Sequence, residues 1–585
     1  MRRAPLGLLC LTLFCSPLLA DPPESAHVDG VVNVQSGGGV CYFASLAELI
    51  IQRDPCVTYA DCVARSGFGT TAGWGIVSKA TGHALSPIPR ALTQGAQVDL
   101  SRLYGVGYRV GYGKGEVWKP GLLTAAEGRT LFSSADEAVL ALKTLIAAST
   151  PVQVHLDMYY VWDEVAAVYP LWTPGVKSHG SHFGVVVGYD ADHVYITDNG
   201  PEGPSGEPGE DMPVLWDNFL MAWRETPNLV PNGRGLFGPC FMCWLTSDPV
   251  NVDDDFLIAW LGIDATRSPY KWLTVGPDAI RLAAADVRSG RNVRDVVGGF
   301  SGGTMGSSRA LMAEYLDDIG QYDLAALYEH SADLCADILE TIMTNPDDPG
   351  IADKIDEIAD TEEEALTMMA SFAGTVDAVV PLAPADDGNL ESFEDVVFHW
   401  AMLPTVKAAT LQLAMTGDFA DRRNTAAFSP KNGNWFFSMT KSDWLKVLRK
   451  EGGDRSLKWR IVSPGKDAVV SDERTLTWDA QAISALTPAS DYSFGEGELV
   501  TFTWTAPALA LGPRVVLSTD GDFSNRKTRV CLVPRRGQSQ VSFKERTLVL
   551  LRKKDDDGVV YWRVEDAGAR ITTVEPSPVR TLNLP

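Results

Sequence analysis

The sequence predicts an α+β domain, then a mainly α-helical domain, then a C-terminal β-sandwich. Three observations carry this. Apolar runs at helix spacing and strand-like runs alternate over residues 30–250. Helical periodicity takes over after residue 251. From residue 456 onward, short β-branched and aromatic runs are separated by turn residues. The expected boundaries are 1–20 for a signal peptide, 21–250 for the α+β domain, 251–455 for the helical domain and 456–585 for the sandwich. A chain of 585 residues has room for roughly three or four domains.

The first twenty residues have the pattern of an export signal. Arg2 and Arg3 supply the positive start, Leu8 to Phe14 is apolar apart from Thr12, and a polar segment opens at Asp21. Leu18 stands where a small residue is preferred. Bulky Phe14 before Cys15 disfavours a lipid anchor. No later stretch reaches the ~18 apolar residues of a membrane span. The expectation is a secreted or periplasmic protein.

Without the leader, 48 basic residues face 75 acidic ones. So acidic a surface repels phosphate backbones, so no nucleic-acid partner is expected. Seven cysteines are left: Cys41, Cys56, Cys62, Cys240, Cys243, Cys335 and Cys531. The odd number leaves at least one thiol unpaired. Cys56 with Cys62, and Cys240 with Cys243, are expected to form local disulfides, with a structural zinc site as the lesser alternative.

Within 30–250, Phe43, Leu46, Ala47 and Ile50 recur at helical spacing over Cys41 to Gln52. Pro151 to Tyr160 reads as a strand. His182 to Tyr189 and His193 to Thr197 read as a hairpin joined through Asp190–Asp192. Gly and Pro dominate Gly200 to Gly209, which is expected as a loop. Helices are expected over Leu311–Ile319, Leu324–Met343, Ile351–Phe372 and Glu391–Thr416. The acids around Asp360–Glu364 mark a solvated helix face. The run Gly298 to Ser308 lacks the lysine of a phosphate loop and reads as a capped connection. In the last part, Thr475–Trp478, Leu499–Trp504, Arg514–Ser518 and Val559–Val564 are the strand signals.

The chemistry concentrates at Gln35-Ser-Gly-Gly-Gly-Val-Cys41. A thiol at a helix start meets that helix's positive end, a field that favours the thiolate nucleophile. The glycines let backbone pass close to a bound carbonyl. Gln35 can return beside the thiol, so that its amide and the Cys41 backbone N–H hold an oxyanion. A base is needed. His182 heads a strand and is favoured over His179, whose surroundings look like loop. Asp198 lies one hairpin later, where it can orient the His182 ring; Asn199 is the alternative. His155, inside a strand, reads as a packed histidine. Asp157 and Tyr159 are candidates to line a cleft. A lone cysteine on an apolar helix would be an ordinary core residue; the set of four residue types outweighs that.

Gln-x5-Cys opening a helix resembles the papain-like cysteine peptidase superfamily, and CYFASLAELI resembles its bacterial C39-like branch. PVQVHLDMYY before SHFGVVVGYD resembles more narrowly the N-terminal domain of the butirosin-biosynthesis BtrH-type acyltransferases, with the helical region as their companion domain. The resemblance implies a papain-like fold and assigns Cys41, His182 and Asp198 as a triad with Gln35 beside it. Val40 and Tyr42 flank the thiol where C39-like peptidases often carry other residues, including a Gly-Pro after the cysteine. TFTWTAP, VYWRVEDAG and PVRTLNL resemble fibronectin type III-like modules. The implied function is acyl transfer through a Cys thioester, cleaving a peptide, amide or other acyl substrate. The alternatives are transfer to an amine acceptor, or an inactive protein that binds a cell-surface polymer through its C-terminal module. The chemistry calls for no cofactor and no metal.

Overall fold

The computed structural model describes residues 22–583 apart from 35–40, 71, 79–81, 87–101, 115–125, 169–176, 178, 199–208, 226–237, 268–272, 298–303, 394–395, 416–417, 422, 431–433, 449, 451–454, 465–467, 480, 494–498, 508–509, 511, 525–528, 535–537, 545–558 and 567–573. The expected leader, Gln35, Asn199 and most of the Gly298–Ser308 run therefore lie outside the described residues. No helix among the described residues is long and apolar enough to cross a membrane.

The first unit is built on one sheet. Its strands are β1 (Ala26–His27), β4 (Tyr108–Gly113), β5 (Gly128–Phe132), β6 (Val152–Asp157), β7 (Ser181–Tyr189), β8 (His193–Thr197), β9 (Met212–Leu215) and β10 (Met242–Leu245). They run in the order β5-β4-β10-β6-β7-β8-β9, and β1 pairs with β7. Seven successive residues of β7, from Phe183 to Tyr189, are buried, which is why that strand reads as a continuous apolar run. Helix α1 (Cys41–Arg53) packs on β6 and β7. The strand expected over Pro151–Tyr160 ends at Asp157. There the Asp157 carboxylate accepts the Tyr159 N–H, and the chain turns into a helix over Met158–Val168.

Helix α2 (Tyr59–Arg65) starts on a Thr58–Asp61 capping box. It packs on the helical unit: Arg65 bonds Asp254, which also accepts from the Tyr315 hydroxyl at 2.8 Å. A hairpin of β2 (Gly73–Ser78) and β3 (Gly82–Ser86) pairs with β11 (Thr274–Val275) and packs against the helix Pro277–Arg288. The first unit thus lends segments to the second, across the boundary expected at 250.

The helices Asp254–Asp264, Thr304–Asp318, Tyr322–Thr344 and Gly350–Ser371 form the helical unit. Gly262 lets two of them close: a Cβ there would lie 2.4 Å from the Ala370 nitrogen. Arg309 and Glu362 form a fully buried bidentate pair inside it, at 2.8 and 3.0 Å.

The helical unit ends near residue 374, not 455. Glu391–Thr416, expected as helix, instead holds the strands Val397–Met402 and Thr410–Ala414 with no helix among its described residues, and a sandwich precedes the expected one. It comprises β12 (Val379–Ala383), β13 (Gly388–Asn389), β14 (Val397–Met402), β15 (Thr410–Ala414), β16 (Thr425–Phe428), β17 (Phe436–Ser438), β18 (Ser456–Val462) and β19 (Arg474–Thr477). Its sheets are β12-β14-β17 and β13-β19-β18-β15-β16. The second sandwich comprises β20 (Gln481–Ala482), β21 (Ser484–Thr487), β22 (Tyr492–Ser493), β23 (Leu499–Thr505), β24 (Pro513–Ser518), β25 (Arg529–Leu532), β26 (Gln540–Lys544), β27 (Val559–Asp566), β28 (Val574–Glu575) and β29 (Arg580–Asn583). Its sheets β21-β23-β26 and β22-β29-β27-β24-β25 repeat the same strand order, and β20 pairs with β28.

Details repeat as well. Asp387 and Asp491 both have positive φ. Arg474 Nη1 donates to the carbonyls of Leu382 and Pro384, and Arg580 Nη1 to those of Leu486 and Pro488. Buried Trp400 and Trp459 correspond to Trp504 and Trp562. The chain ends in a tandem pair of one module.

Candidate active site

Residue Cys41 is the first residue of α1 and is half-buried. Its turn is anchored from below. Ser45 Oγ donates to the Cys41 carbonyl at 2.8 Å, and Gln153 Nε2, from β6, donates to Ser45 Oγ at 2.7 Å. The thiol lies near enough to the His182 side chain to raise the imidazole pKa.

His182 is the second residue of β7, and Asp198 directly follows β8. The tight turn between these strands is set by Asp190, whose carboxylate accepts the Asp192 and His193 N–H groups at 2.8 and 2.7 Å. The hairpin returns Asp198 to His182, and His182 Nε2 meets Asp198 Oδ1 at 2.5 Å. With Nε2 so engaged, Nδ1 is the ring nitrogen left for Cys41. His182 is 16% exposed and Asp198 4%. Burial pushes the His182 pKa down, but the charge and hydrogen bond of Asp198 and the nearby Cys41 sulfur outweigh it. The imidazole is held well above its ordinary range.

Three of the four residues singled out by sequence, Cys41, His182 and Asp198, are thus brought together; Gln35 lies outside the described residues. His179 lies just before β7. Its Nδ1 pairs with buried Asp157 at 2.8 Å, and its ring stacks on Tyr159 at 4.3 Å. His155 is packed, as expected: it stacks on Phe183 and shares a 2.7 Å hydrogen bond with Ser181. Burial and the nearby His182 charge push its pKa down to about 3.

The expected local disulfides are not formed: none of the seven described cysteines is disulfide-bonded. Packing explains the buried ones. Cys62 lies in the core with Sγ 3.8 Å from the Tyr104 hydroxyl, and Cys240 and Cys243 are buried around β10. Burial raises the Cys62 thiol to about 12, Cys240 to about 11 and Cys335 to about 12. Such thiols are inert at neutral pH. No cluster of three or more metal-ligating side chains occurs among the described residues.

Sequence reasoning missed Glu48. It is fully buried on α1, and its Oε1 accepts the Val34 N–H at 3.3 Å. The available signal was a lone acid two helical turns after Cys41 in an otherwise apolar stretch. The Asp157–His179 pair was equally unread, because its partners sit on separate elements.

No protein-family model matches the chain, and no curated protein matches it. Solved structures with some likeness include the fibronectin(III)-like modules of Clostridium thermocellum CbhA, at 11% identity over 35% of this chain and 92% of that one, with a TM-score of 0.14. The chicken CNTN1 FN1–FN3 domains share 8% identity over 35% of this chain and 67% of that one, with a TM-score of 0.15. The teleost fish polymeric Ig receptor ectodomain shares 11% identity over 35% and 97%, with a TM-score of 0.13. Scores this low carry no argument. The two sandwiches rest on strand pairing alone.

Proposed function

We propose that this chain is a cysteine-dependent acyl-transfer enzyme of papain-like type, cleaving a peptide or amide bond through a thioester on Cys41. The observation that carries the proposal is the His182 ring bonded at Nε2 to Asp198, with the Cys41 thiol near enough to raise the imidazole pKa. A basic, oriented imidazole next to a thiol at a helix start is the arrangement nucleophilic acyl transfer requires.

The steps follow from these groups. His182 takes the Cys41 proton, and Asp198 stabilises the imidazolium. The thiolate attacks the substrate carbonyl carbon, forming the S–C bond. The oxyanion is held by the Cys41 backbone N–H and, as the sequence suggests, by the Gln35 amide. His182 returns the proton to the leaving nitrogen as the C–N bond breaks. Water, deprotonated by His182, then attacks the thioester and releases the acid. An amine in place of water gives the transferase variant that the BtrH-type resemblance favours. We place the protein outside the cytoplasm, as its leader pattern suggests, with the C-terminal sandwiches as modules that hold it to a surface polymer.

The test is labelling with a thiol-directed acylating probe, read at the Cys41 peptide. Cys41→Ala abolishes labelling, and His182→Ala lowers its rate about a hundredfold or more. Asp198→Asn removes the charge that holds His182 high. The imidazolium is then lost at lower pH, and the alkaline limb of the rate profile shifts toward acid. Labelling that ignores His182 would refute the proposal.

A further inference from the structure

Cys41, Ser45 and Glu48 stand four and three residues apart, one stripe along α1. The first carries the thiol and the second anchors its carbonyl. The third is a carboxyl group with no exposure to solvent. Its Oε1 accepts the backbone N–H of Val34, and its Oε2 has no hydrogen-bond partner among the described residues. No lysine or arginine among the described residues pairs with it. An ionised carboxylate so placed is costly, and a neutral acid is the stable form. The Val34 hydrogen bond and the His182 charge favour the ionised form, but Asp198 and Glu210 lie within electrostatic reach and repel a second negative charge, and buried Tyr59 supplies no charge at neutral pH. Burial, the largest influence, holds the Glu48 pKa well above the carboxylate range.

Position gives this acid a task. Val34 lies seven residues before Cys41, so the Glu48 hydrogen bond ties the chain ahead of Cys41 to the helix that Cys41 opens. Asn33 N–H is held in the same way by Glu210 at 3.1 Å, and Asp198 N–H bonds the Gly209 carbonyl at 2.8 Å. The approaches to Cys41 and Asp198 are tied to each other as well as to α1.

We propose that Glu48 is an uncharged positioning residue that fastens Val34 to the Cys41 helix while leaving the His182 ring to answer to Asp198 and Cys41. This rests on the acyl-transfer reading of the same site. It assigns a role to a side chain that touches neither the substrate nor the thiol.

The test is the rate of Cys41 alkylation by iodoacetamide against pH, read by peptide mass spectrometry on the full chain. It compares wild type with Glu48→Gln, Glu48→Leu and His182→Ala. Glu48→Gln keeps an uncharged acceptor for Val34 and is expected to hold the rate and its pH profile within about twofold. Glu48→Leu loses the acceptor and is expected to slow alkylation about three- to tenfold. If Gln is as slow as Leu, a charged Glu48 is required and the inference fails. If Leu matches wild type, no positioning role exists. If His182→Ala matches wild type, the catalytic reading itself fails, a result distinct from either. Should Glu48→Leu not fold, infrared difference spectra of wild type minus Glu48→Gln at neutral pH decide. A protonated carboxylic acid band is expected, and its absence overturns the proposal.

Discussion

The two C-terminal sandwiches share one plan, yet they differ on a single face. In the second, β23 alternates: Val500, Phe502 and Trp504 are buried, while Leu499, Thr501, Thr503 and Thr505 face outward, with hydroxyl pairs Thr487–Thr503 at 2.7 Å and Thr501–Ser542 at 2.8 Å. In the first, β14 is buried from Phe398 to Met402. Its outer face is pressed against the N-terminal unit. His399, which occupies the position of Thr503, meets Glu127 at 2.7 Å, with both side chains under a tenth exposed. Glu127 also accepts from Thr246 at 2.6 Å, and Gly107 makes room, since a Cβ there would lie 2.3 Å from the Glu127 carboxylate. Leu382 and Leu486 occupy the same irregularity in β12 and β21, yet Leu382 is 2% exposed and Leu486 54%. One module is therefore an inner wall of the molecule. The other keeps that face in solvent.

The largest difference is expected at the histidine. His399→Ala leaves Glu127 buried without that partner and should cost about 3–5 kcal/mol. Thr503→Ala, on the open face, should stay within about 0.5 kcal/mol. Hydrogen exchange of β14 and β23 amides resolves the two modules; equal losses would break the comparison. Next come the leucines. Leu382→Ala should destabilise the first module by about 2–4 kcal/mol, and Leu486→Ala by about 0.5 kcal/mol or less. The smallest of the junction contacts is that of Arg102, whose guanidinium lies 5.1 Å from the Trp435 ring centre. Arg102→Lys should weaken docking by about 0.5–1 kcal/mol, read as faster proteolysis between the two units.

The same difference explains what could be read in the sequence. LVTFTWT alternates because one face meets water, so its strand was legible. VFHWAM is buried on both faces and does not alternate, and such a short buried run does not distinguish strand from helix. The run was therefore expected as helix, and the first sandwich was absorbed into the helical domain. The long helices Tyr322–Thr344 and Gly350–Ser371 were legible because each keeps a solvated face. At the candidate site, Cys41, His182 and Asp198 were legible because a hairpin and a helix start fix their geometry locally. Glu48 and the Asp157–His179 pair were not, since their meaning depends on burial and on contacts across elements.

Central to the account is a transferable proton and a nucleophilic sulfur at one place, and the acylated chain itself reports on both. The full-length protein is incubated with an activated acyl donor, then its intact mass and its Cys41 peptide are measured before and after neutral hydroxylamine. One acyl group per chain, carried by Cys41 and released by hydroxylamine, is the predicted result. No adduct, or an adduct on another residue that survives hydroxylamine, would contradict it.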